Sequence, residues 1–494
     1  MGDSAAARRV LVASNRGPVS YTQGEDGQLT AKRGGGGMVS GLSTVADTED
    51  MLWVCAALSD GDRAAVRSAG ESGLLPWHGT EGGSAIRMLD LPPAVFQCAY
   101  NAVANSTLWF VHHMLYDTPN QPSFGPGFER EWAAFRTYNE SFAVALAEAA
   151  RPQGGHGQVR AVIQDYHLCL APRMLASLAP DVRIAHFSHT PWAPPDYYRL
   201  LPTSVGREVL AGILGADHAG FLCQRWADAF LNCCDEFLDC EVDRARSQVA
   251  YAGKITTIGV HPLGVDAGQL RDRAREADVQ ARIDALRART AGRKLIVRVD
   301  RTELSKNIVR GLEAYRELLR SHPEWHGRVT KLAFAYPSRT DLAEYREYAA
   351  AVERLARQIE DEFAEAGWEP LILEVNDDYP RSLAALRMAD VLLVNPIRDG
   401  MNLVAKEGPI LSDGGCVVVL STEAGAAAEL GADALLVSPF DVSETAGALH
   451  SALVIDHDER LRRSRALAAA AGAMPPQRWF ASQLEALDEL PVRP

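Results

Sequence analysis

Residues 391–407 of the chain read VLLVNPIRDGMNLVAKE. The first five, Val391–Asn395, are mostly apolar and rich in β-branched side chains, which is typical of a strand buried on both faces. A polar loop follows, and the later apolar residues predict a helix that opens at Asp399 and Gly400. A strand, a loop and a helix in this order are the repeating unit of a parallel α/β sheet. The stretch therefore predicts a sheet covered by helices.

The same alternation of short apolar runs and helical spacers recurs along the whole chain. It predicts a doubly wound α/β fold in two Rossmann-like halves, with a seam near residues 261–264. We expect one domain over 1–262, a second over 263–474, and a helix over 475–494 that packs back on the first domain. Because ligands bind beyond the carboxyl ends of parallel strands, we expect them in a cleft between the halves. The predicted strands are 9–14, 53–57, 159–165, 182–188, 219–223 and 255–260 in the first half, and 295–299, 331–335, 371–375, 391–395, 417–421 and 435–437 in the second.

Composition excludes several classes of protein. The chain has 494 residues with 50 Lys and Arg against 64 Asp and Glu, so its formal net charge is −14. An acidic total argues against nucleic acid or an anionic membrane as a partner held by bulk attraction. No run reaches the roughly 18 apolar residues that span a bilayer, and the first apolar segment is too short for a secretory signal. We therefore expect a cytoplasmic protein, and a homo-oligomer is left open.

The eight cysteines give no sign of a metal site. Cys233, Cys234 and Cys240 are close together, but no second Cys or His pair follows at zinc-finger spacing. Most of the cysteines lie in apolar runs, where a free thiol packs as a small apolar side chain. We expect neither a metal nor a cofactor.

Polar side chains follow three predicted strands of the first half at the points where the strands end. Arg16 closes the run Ser14-Asn15-Arg16, Asp165 follows the strand that begins at residue 159, and His189 follows the strand that ends at residue 188. In a doubly wound fold these positions face ligands. Asp165 and His189 each have an ordinary alternative, as a helix cap and as a loop residue.

Cations and glycines mark further candidate positions. Arg301 and Lys306 follow a strand of the second half and can hold a diphosphate, the arginine by its fork and the lysine as a point charge. On their own they equally fit a solvated loop. The four glycines of 34–37 suit close approach to a phosphate or, alternatively, a flexible loop tip.

Two predicted helices add candidates. Leu403 and Glu407 lie four residues apart and share a helix face, where the carboxylate suits the two hydroxyls of a ribose. A second helix is predicted to open with a capping box at 338–341 and to bury an apolar stripe that runs to Phe363. Arg339 lies at its entry and is not explained by that stripe.

In their order along the chain, these stretches resemble the trehalose-6-phosphate synthases, which are retaining glycosyltransferases of the GT-B class in glycosyltransferase family 20. The match covers nearly the full length, and the run that begins at Arg398 is its most specific part. The matching residues are Ser14-Asn15-Arg16, Gly36-Gly37-Met38, Tyr100-Asn101, Leu108-Trp109, Asp165-Tyr166-His167, His189-Thr190-Pro191, Arg301 with Lys306, Pro337-Ser338-Arg339, Arg398–Glu407 and Leu420–Leu430. The resemblance implies transfer of glucose from a nucleoside-diphosphate-glucose to glucose 6-phosphate, giving trehalose 6-phosphate.

The resemblance also implies a role for each matching residue. The acceptor, glucose 6-phosphate, would be bound by Arg16, Tyr100, Trp109, Asp165 and Arg339. The donor would be bound by Gly37, Arg301, Lys306, His189, Asp399, Gly400, Met401, Asn402, Leu403 and Glu407. The catalytic step would fall to Arg301, Lys306, His189 and Asp399. It would need no metal, because the leaving phosphate takes the acceptor's proton and cations stabilise its charge.

The chain departs from the family pattern in two places. The family usually reads Arg-Leu-Asp and later Lys-Gly, whereas this chain has Thr302-Glu303 after the arginine and Asn307 after the lysine. The segment 54–57 stands where the family commonly has a second Trp-bearing stretch, and this departure falls on part of the predicted acceptor pocket. Related enzymes that join cyclitols share the first departure but lack the equivalents of Met401 and Lys406, so sugar transfer is favoured.

The resemblance leaves alternatives for both substrates, the sugar donor and the acceptor. The donor is expected to be UDP-glucose or GDP-glucose. The choice between them stays open, because the base is read by backbone contacts that the spacing of motifs does not reveal. One alternative is a pseudo-glycosyltransferase or a related enzyme with a cyclitol phosphate or glycerol 3-phosphate acceptor, and another is a non-catalytic sugar-phosphate sensor. Since both proposed substrates are anions, we expect the fold to gather five cations at or beside one cleft: Arg16, Arg301, Lys306, Arg339 and Lys406.

Overall fold

The computed structural model of the chain describes residues 9–24, 26–34, 50–77, 84–151, 159–339 and 342–491. These residues form two compact units. Unit 1 comprises Met1–Pro262 together with Pro476–Pro494, and unit 2 comprises Leu263–Pro475. Each unit is built around its own sheet, so each is described separately.

Twelve strands lie in the described residues of unit 1. They are β1 (Arg9–Ser14), β2 (Val19–Gln23), β3 (Leu29–Arg33), β4 (Asp50–Ala56), β5 (Leu75–Pro76), β6 (Ala85–Leu89), β7 (Val159–Gln164), β8 (Arg183–Ser188), β9 (His218–Phe221), β10 (Glu241–Asp243), β11 (Gln248–Tyr251) and β12 (Lys254–Val260). Ten of them form one sheet in the order β10-β11-β12-β9-β8-β7-β1-β4-β6-β5, and β2 pairs with β3 in a separate hairpin.

The core of the unit 1 sheet is parallel and doubly wound. From β1 the chain adds β4 and β6 on one side, then returns to add β7, β8, β9 and β12 on the other. The strand order therefore reverses between β1 and β7, and this reversal opens a crevice beyond their carboxyl ends. Arg16 and Asp165 lie just beyond those two ends.

Eight described helices of unit 1 precede its last strand. They are α1 (Asp60–Ser68), α2 (Pro93–Gln97), α3 (Trp109–His112), α4 (Pro126–Ala150), α5 (Ala171–Leu178), α6 (Pro195–Tyr198), α7 (Thr203–Ile213) and α8 (Gln224–Phe237). Four of them, α1, α4, α5 and α8, contact strands of the sheet. A π-helix, Cys98–Leu108, joins α2 to α3 without a break. Such wide turns are frequent at functional sites.

The segment that replaces the family's second Trp-bearing stretch is part of the unit 1 core. Val54 and Cys55 are completely buried in β4. Trp53, immediately before them, donates its Nε1–H to Ser14 Oγ at 2.8 Å, and its ring lies edge-on to Trp77 at 5.4 Å. The small side chains after Trp53 therefore pack inside the sheet layer.

The part of unit 2 that the structure describes has six strands and nine helices. The strands are β13 (Lys294–Arg301), β14 (Val329–Tyr336), β15 (Leu371–Glu374), β16 (Val391–Val394), β17 (Val417–Ser421) and β18 (Leu435–Val437). The helices are α9 (Ala267–Arg273), α10 (Ala277–Thr290), α11 (Ile308–Ser321), α12 (Ala343–Phe363), α13 (Tyr379–Met388), α14 (Val404–Leu411), α15 (Ala427–Leu430), α16 (Val442–Val454) and α17 (His457–Ala471).

The unit 2 sheet is parallel throughout, in the order β15-β14-β13-β16-β17-β18. Strands β16, β17 and β18 are nearly continuous apolar runs, and helices α11, α12 and α16 bury their apolar faces against one side of the sheet. The strand order reverses between β13 and β16. The loops after these two strands therefore define the ligand-binding edge of unit 2.

Helix α18 (Pro476–Asp488) follows unit 2 in the chain and packs in unit 1 against β7 and β8. Trp479 is completely buried, and its ring meets Phe187 of β8 edge-on at 5.0 Å. None of the helices in the described part of the chain is both long and apolar enough to cross a membrane.

Candidate active site

A lysine and an aspartate meet at the strand reversal of unit 2. Lys306 ends the short 3₁₀ turn Leu304–Lys306 after β13, and Asp399 lies in the loop after β16. Lys306 Nζ donates to Asp399 Oδ2 at 2.6 Å. The structure thus brings together two residues that the sequence places 93 positions apart.

Lys306 is held in its charged form. Burial alone would lower the pKa of its ammonium, but the negative charges of Asp399, Asp300 and Glu303 raise it above the ordinary value. A permanently charged ammonium at the end of a parallel strand can neutralise phosphate oxygens.

Arg301 and Arg339 share one buried carboxylate. Arg301 Nη2 lies 3.1 Å from Glu303 Oε1, and the same oxygen accepts a 3.0 Å hydrogen bond from Ser338 Oγ. Burial opposes ionisation of Glu303, yet the charges of Arg301, Arg339 and Lys306 lower the pKa of its carboxyl. The Arg301 side chain is 60% exposed, so its guanidinium remains accessible to an anion from solvent.

Arg339 has an unusual backbone conformation. Its φ of +47° lies in the left-handed region, and its Nη1 donates to Tyr345 Oη at 2.6 Å. Its guanidinium also lies over the Tyr345 ring, 5.5 Å from the ring centre. The capping box predicted at 338–341 is wrong as a helix start, because α12 begins at Ala343 and Ser338 Oγ binds Glu303 instead. Asp341 itself lies outside the described residues.

Arg298 is a site residue that the sequence reasoning missed. It is 1% exposed in the middle of β13. It donates to the carbonyl oxygen of Lys306 and to Asn395 Oδ1, and it lies 3.0 Å from Asp300 Oδ2. Arg298 therefore ties the loop after β13 to the end of β16. The available signal was an arginine with an apolar β-branched residue on each side, Val297 and Val299.

The loop 395–403 folds around Asp399. Asn402 Nδ2 donates to Asp399 Oδ2 at 3.1 Å, and Asn402 has a left-handed φ of +75°. A Cβ on Gly425 would lie 1.9 Å from the carbonyl oxygen of Gly400, so only glycine fits where these two backbones meet. Met401 is buried in this loop.

The helix after this loop starts later than the sequence predicts. Its cap is Leu403 and its first residue is Val404, so the prediction that Asp399 and Gly400 open the helix is wrong. Asp399 is instead fixed by its own loop and by a hydrogen bond from its N–H to the carbonyl oxygen of Glu423 at 3.1 Å. Side-chain and backbone pairing within the loop takes the place of a helix cap.

Lys406 is not available to a ligand. Its side chain has no exposed area, and its Nζ donates to Leu263 O at 2.8 Å and to both carboxylate oxygens of Glu429. The expectation that Lys406 adds to the positive charge of the site is therefore wrong. Its role is to hold the start of unit 2 and α15 against α14.

Glu407 lies one helical turn after Leu403, and its N–H bonds the Leu403 carbonyl at 2.8 Å. Among the described residues, no side chain supplies a cation or a hydrogen bond to its carboxyl group. Burial alone raises the pKa of this carboxyl to about 7. A ligand with two adjacent hydroxyl groups can donate hydrogen bonds to the two oxygens of this carboxyl group.

We expect Glu407→Gln to remove a component of the pH dependence of stability. The folded carboxyl keeps its proton up to about pH 7, whereas the unfolded one loses it near 4.5. This difference stabilises the wild type fully at low pH and is lost as pH rises through 7. The unfolding free energies of Glu407→Gln and of the wild type are measured in urea at several pH values. The difference between them, variant minus wild type, should increase from pH 5 to pH 8. The exposed Glu347→Gln is the control, and an equal gain in both variants would refute the raised pKa.

Asp165 and His189 meet at the strand reversal of unit 1. The His189 N–H donates to Asp165 Oδ1 at 3.3 Å, and His167 Nδ1 lies 3.6 Å from Asp165 Oδ2. Although burial opposes ionisation, the side-chain hydrogen bond with His167 and the electrostatic interactions with His189 and His167 lower the pKa of the Asp165 carboxyl to about 2. Asp165 is therefore an ionised carboxylate. Its φ of +74° lies in the left-handed region, so its backbone is constrained as well.

His189 is neutral and oriented. Burial lowers its pKa, and the Asp165 charge offsets this only in part. Its Nε2 lies 2.7 Å from Gln164 Oε1, an oxygen that can only accept, so Nε2 carries the proton and Nδ1 is an acceptor. Phe187 and Trp479 pack around the ring. Gln164, the last residue of β7, is a second residue that the sequence reasoning missed.

Aromatic side chains surround this group. The Tyr100 ring, in the π-helix, stacks between Phe96 at 5.2 Å and His167 at 5.6 Å. Trp109 stacks on His113 with ring centres 3.7 Å apart. Exposed Arg16 lies just beyond β1.

The predicted residues thus form two groups, one at each strand reversal. The unit 1 group contains Arg16, Tyr100, Trp109, Asp165 and His189, and the unit 2 group contains Arg301, Lys306, Arg339, Asp399, Gly400, Met401, Asn402, Leu403 and Glu407. Gly37, which was predicted to contact the donor, lies outside the described residues.

Comparison with known proteins gives consistent matches over this chain. A family model for glycosyltransferase family 20 matches residues 8–489. The chain is 32% identical over 468 residues to the bifunctional trehalose-6-phosphate synthase/phosphatase of Thermoproteus tenax, covering 93% of this chain and 60% of that protein. It is 30% identical over 467 residues to the α,α-trehalose-phosphate synthase (UDP-forming) of Schizosaccharomyces pombe, covering 93% and 86%. This chain thus spans about 60% of the length of the T. tenax protein.

Solved structures share the whole architecture. The structure named "Trehalose-6-phosphate from E. coli bound with UDP-2-fluoro glucose" matches with a TM-score of 0.85 at 26% identity, covering 98% of this chain and 100% of that one. An α,α-trehalose-phosphate synthase (UDP-forming) from Burkholderia vietnamiensis matches with a TM-score of 0.82 at 27% identity and the same coverage. Two doubly wound units, each with polar residues at its strand reversal, are the architecture of the GT-B glycosyltransferases. The chain belongs to glycosyltransferase family 20.

Proposed function

We propose that this protein is an α,α-trehalose-phosphate synthase, which transfers glucose from a nucleoside-diphosphate-glucose to glucose 6-phosphate with retention of configuration. The observation that carries the proposal is the cation pair of unit 2. Charged Lys306 and exposed Arg301 lie at the end of β13, beside the loop 395–403. This is where a doubly wound fold receives a phosphate-bearing ligand.

On the donor side, each group has a distinct task. Arg301 and Lys306 neutralise the diphosphate, and the loop carrying Asp399, Gly400, Met401 and Asn402 holds the glucose. Leu403 and Glu407 contact the nucleoside, with Glu407 accepting from the ribose hydroxyls. UDP-glucose is favoured over GDP-glucose, because the S. pombe and B. vietnamiensis relatives are named as UDP-forming.

On the acceptor side, the aromatic rings of Tyr100 and Trp109 suit the apolar face of a sugar. Ionised Asp165 accepts a hydrogen bond from a sugar hydroxyl, and neutral His189 offers Nδ1 to a hydroxyl of the donor glucose. Arg16 and Arg339 supply charge for the acceptor phosphate.

The chemistry requires one bond exchange. The bond between the anomeric carbon and the leaving phosphate oxygen breaks as the acceptor hydroxyl oxygen bonds to the same face of that carbon. The proton of the hydroxyl passes to the leaving phosphate. Negative charge builds on the diphosphate in the transition state, where the preorganised Arg301 and Lys306 stabilise it most.

The test is an activity assay with matched substrates. UDP-, GDP- and ADP-glucose are each offered with glucose 6-phosphate and, in parallel reactions, with a cyclitol phosphate or glycerol 3-phosphate. Release of nucleoside diphosphate is measured in every reaction, and trehalose 6-phosphate is measured in those that contain glucose 6-phosphate. We expect turnover with UDP-glucose. Turnover only with a cyclitol phosphate or glycerol 3-phosphate would replace the acceptor assignment. Binding of sugar phosphate without product from any donor would indicate a sensor.

We expect Arg339→Ala to raise the apparent KM for glucose 6-phosphate by about 10- to 100-fold with a smaller change in kcat, since it removes charge-assisted hydrogen bonds to the acceptor phosphate. The KM for the donor should change little. Tyr345→Phe keeps the ring under the guanidinium and removes only its hydroxyl anchor, so its effect should be smaller. An unchanged acceptor KM in Arg339→Ala would show that this residue does not bind the phosphate.

The cellular location is also a proposal. All eight cysteines lie in the described residues and none of them forms a disulfide there, as in proteins kept in a reducing cytoplasm. A homo-oligomer is an open alternative to a monomer, which sedimentation of the purified chain would distinguish.

A further inference from the structure

A second basic cavity lies in unit 2, apart from the candidate active site. It has a volume of about 360 Å³ and lies among α9, α13, α14 and α17. Its wall includes Ser412, which follows the end of α14, and Gly415, which precedes β17. Helices between parallel strands run back from the carboxyl edge of the sheet to its amino edge. The cavity is therefore at the amino edge, opposite the loops that carry Lys306 and Asp399.

The cavity is strongly basic. One carboxylate, that of Asp413, faces four arginines: Arg271, Arg275, Arg387 and Arg465. This formal excess of three positive charges occurs in a chain whose total is −14. Guanidinium groups gathered around one cavity repel each other, so an anion among them would be bound favourably.

Two of the four arginines are already paired. Arg387 Nη2 binds Asp413 Oδ2 at 2.9 Å, and its Nη1 donates to the Ala274 carbonyl at 2.9 Å. Arg275 Nη1 lies 3.2 Å from Asp272 Oδ1 in an exposed pair. These contacts hold Arg387 and Arg275 in the cavity wall. The positive charge available to a ligand therefore comes from the other two arginines, Arg271 and Arg465.

Arg271 and Arg465 have donors to spare. Arg271 is anchored by its Nε, which donates to the carbonyl oxygen of Ile410 at 3.3 Å. Within the described residues, neither its two terminal nitrogens nor the Arg465 guanidinium have a hydrogen-bond or ion-pair partner. An arginine anchored through Nε presents its remaining N–H groups in a fixed direction, which lowers the entropy lost on binding.

We propose that this cavity binds a small phosphorylated compound of about the size of a pentose phosphate. Phosphate oxygens match the forked N–H groups of Arg271 and Arg465. The volume lies within the range of small-molecule pockets and exceeds what a lone phosphate ion fills. Ala274, Leu461 and Ala468 give the wall apolar patches for the carbon skeleton, and the Ser464 hydroxyl, which accepts from Cys416 N–H, keeps its own proton to donate.

The experiment is hydrogen–deuterium exchange of the intact protein, with ribose 5-phosphate and inorganic phosphate as separate probes. Exchange reports the location of binding, so occupancy of this cavity is distinguished from occupancy of the candidate active site. We expect ribose 5-phosphate to protect residues 408–416 and 461–468. The binding needs no transfer activity, so a failed activity assay would leave this result unaffected.

The variant Arg271→Ala/Arg465→Ala should lose about tenfold or more in apparent affinity at these segments. The control Arg287→Ala/Arg354→Ala removes the same charge from two exposed arginines outside the cavity and should stay within about twofold of wild type. Circular dichroism checks that both variants fold. The proposal is overturned by no protection at either segment, by equal losses in both double variants, or by inorganic phosphate binding as tightly as ribose 5-phosphate.

Discussion

Arg301→Ala is expected to lower kcat/KM for glucosyl transfer on the order of 10³-fold. Arg301 is the exposed cation of the unit 2 group, and in the proposed reaction it faces a phosphate whose charge grows in the transition state. Most of the loss should therefore appear in kcat. Initial rates of nucleoside diphosphate release, at varied concentrations of each substrate, measure the effect.

The controls separate charge, geometry and folding. Arg301→Lys keeps the charge and loses the fork, so it should recover only part of the activity. Arg287→Ala removes an exposed arginine elsewhere in unit 2 and should leave the rate unchanged. Because Arg301 neutralises buried Glu303, the unfolding midpoint of each variant is measured alongside. A folded Arg301→Ala enzyme with near wild-type kcat would remove this residue from the catalytic step.

Glu429→Ala is expected to lower the free energy of unfolding by about 3 kcal/mol. It leaves the completely buried ammonium of Lys406 without its carboxylate partner. Burial already lowers the pKa of Lys406 in spite of Glu429, so the unpaired lysine must release its proton or remain charged in an apolar setting. Urea unfolding at neutral pH measures the loss.

The pH dependence of Glu429→Ala provides an independent check. Folded Lys406 releases its proton at lower pH than the unfolded lysine, so the stability of the variant should rise with pH over the alkaline range below the ordinary lysine pKa. Adding Lys406→Met to Glu429→Ala removes the buried charge and should recover part of the loss, although the Leu263 carbonyl then lacks its donor. A double variant no more stable than Glu429→Ala would show that the ion pair is not the cause.

Most of the fold could be predicted because its strands are buried on both faces. Each of the twelve predicted strands is present, and the two-sheet α/β class is confirmed. The strands that were missed lack a continuous apolar run. In β6 burial alternates around Arg87, and the edge strand β10 and its neighbour β11 are short and partly exposed. A strand with one solvated face resembles a loop in sequence.

The sequence indicated which residues belong to the candidate site, but it revealed little of how their side chains are arranged. The resemblance indicated Lys306 and Asp399, but their 2.6 Å contact depends on β13 and β16 being neighbours in the sheet. Arg298 could not be assigned a role, because its partners lie at the end of another strand and on the backbone of a loop. Local sequence does not encode such pairings.

Two predictions made from local sequence were wrong because tertiary contacts gave the side chains other partners. The Ser338 hydroxyl fits a helix cap in sequence, yet buried Glu303 requires hydrogen bonds and takes it. Lys406 fits a phosphate-binding cation, yet burial pairs it with Glu429. In both cases a buried charge determined the position of its partner.

The return of α18 to unit 1 has a consequence for biosynthesis. Unit 2 is one continuous stretch of chain and possesses all of its residues before the ribosome reaches Pro476. Unit 1 begins earlier, but β7 and β8 remain without the cover of Trp479 and Phe480 until α18 has been synthesised. The unit that starts first therefore closes last, against the usual N-terminal-first order, because its sheet is completed only by the last helix to be synthesised.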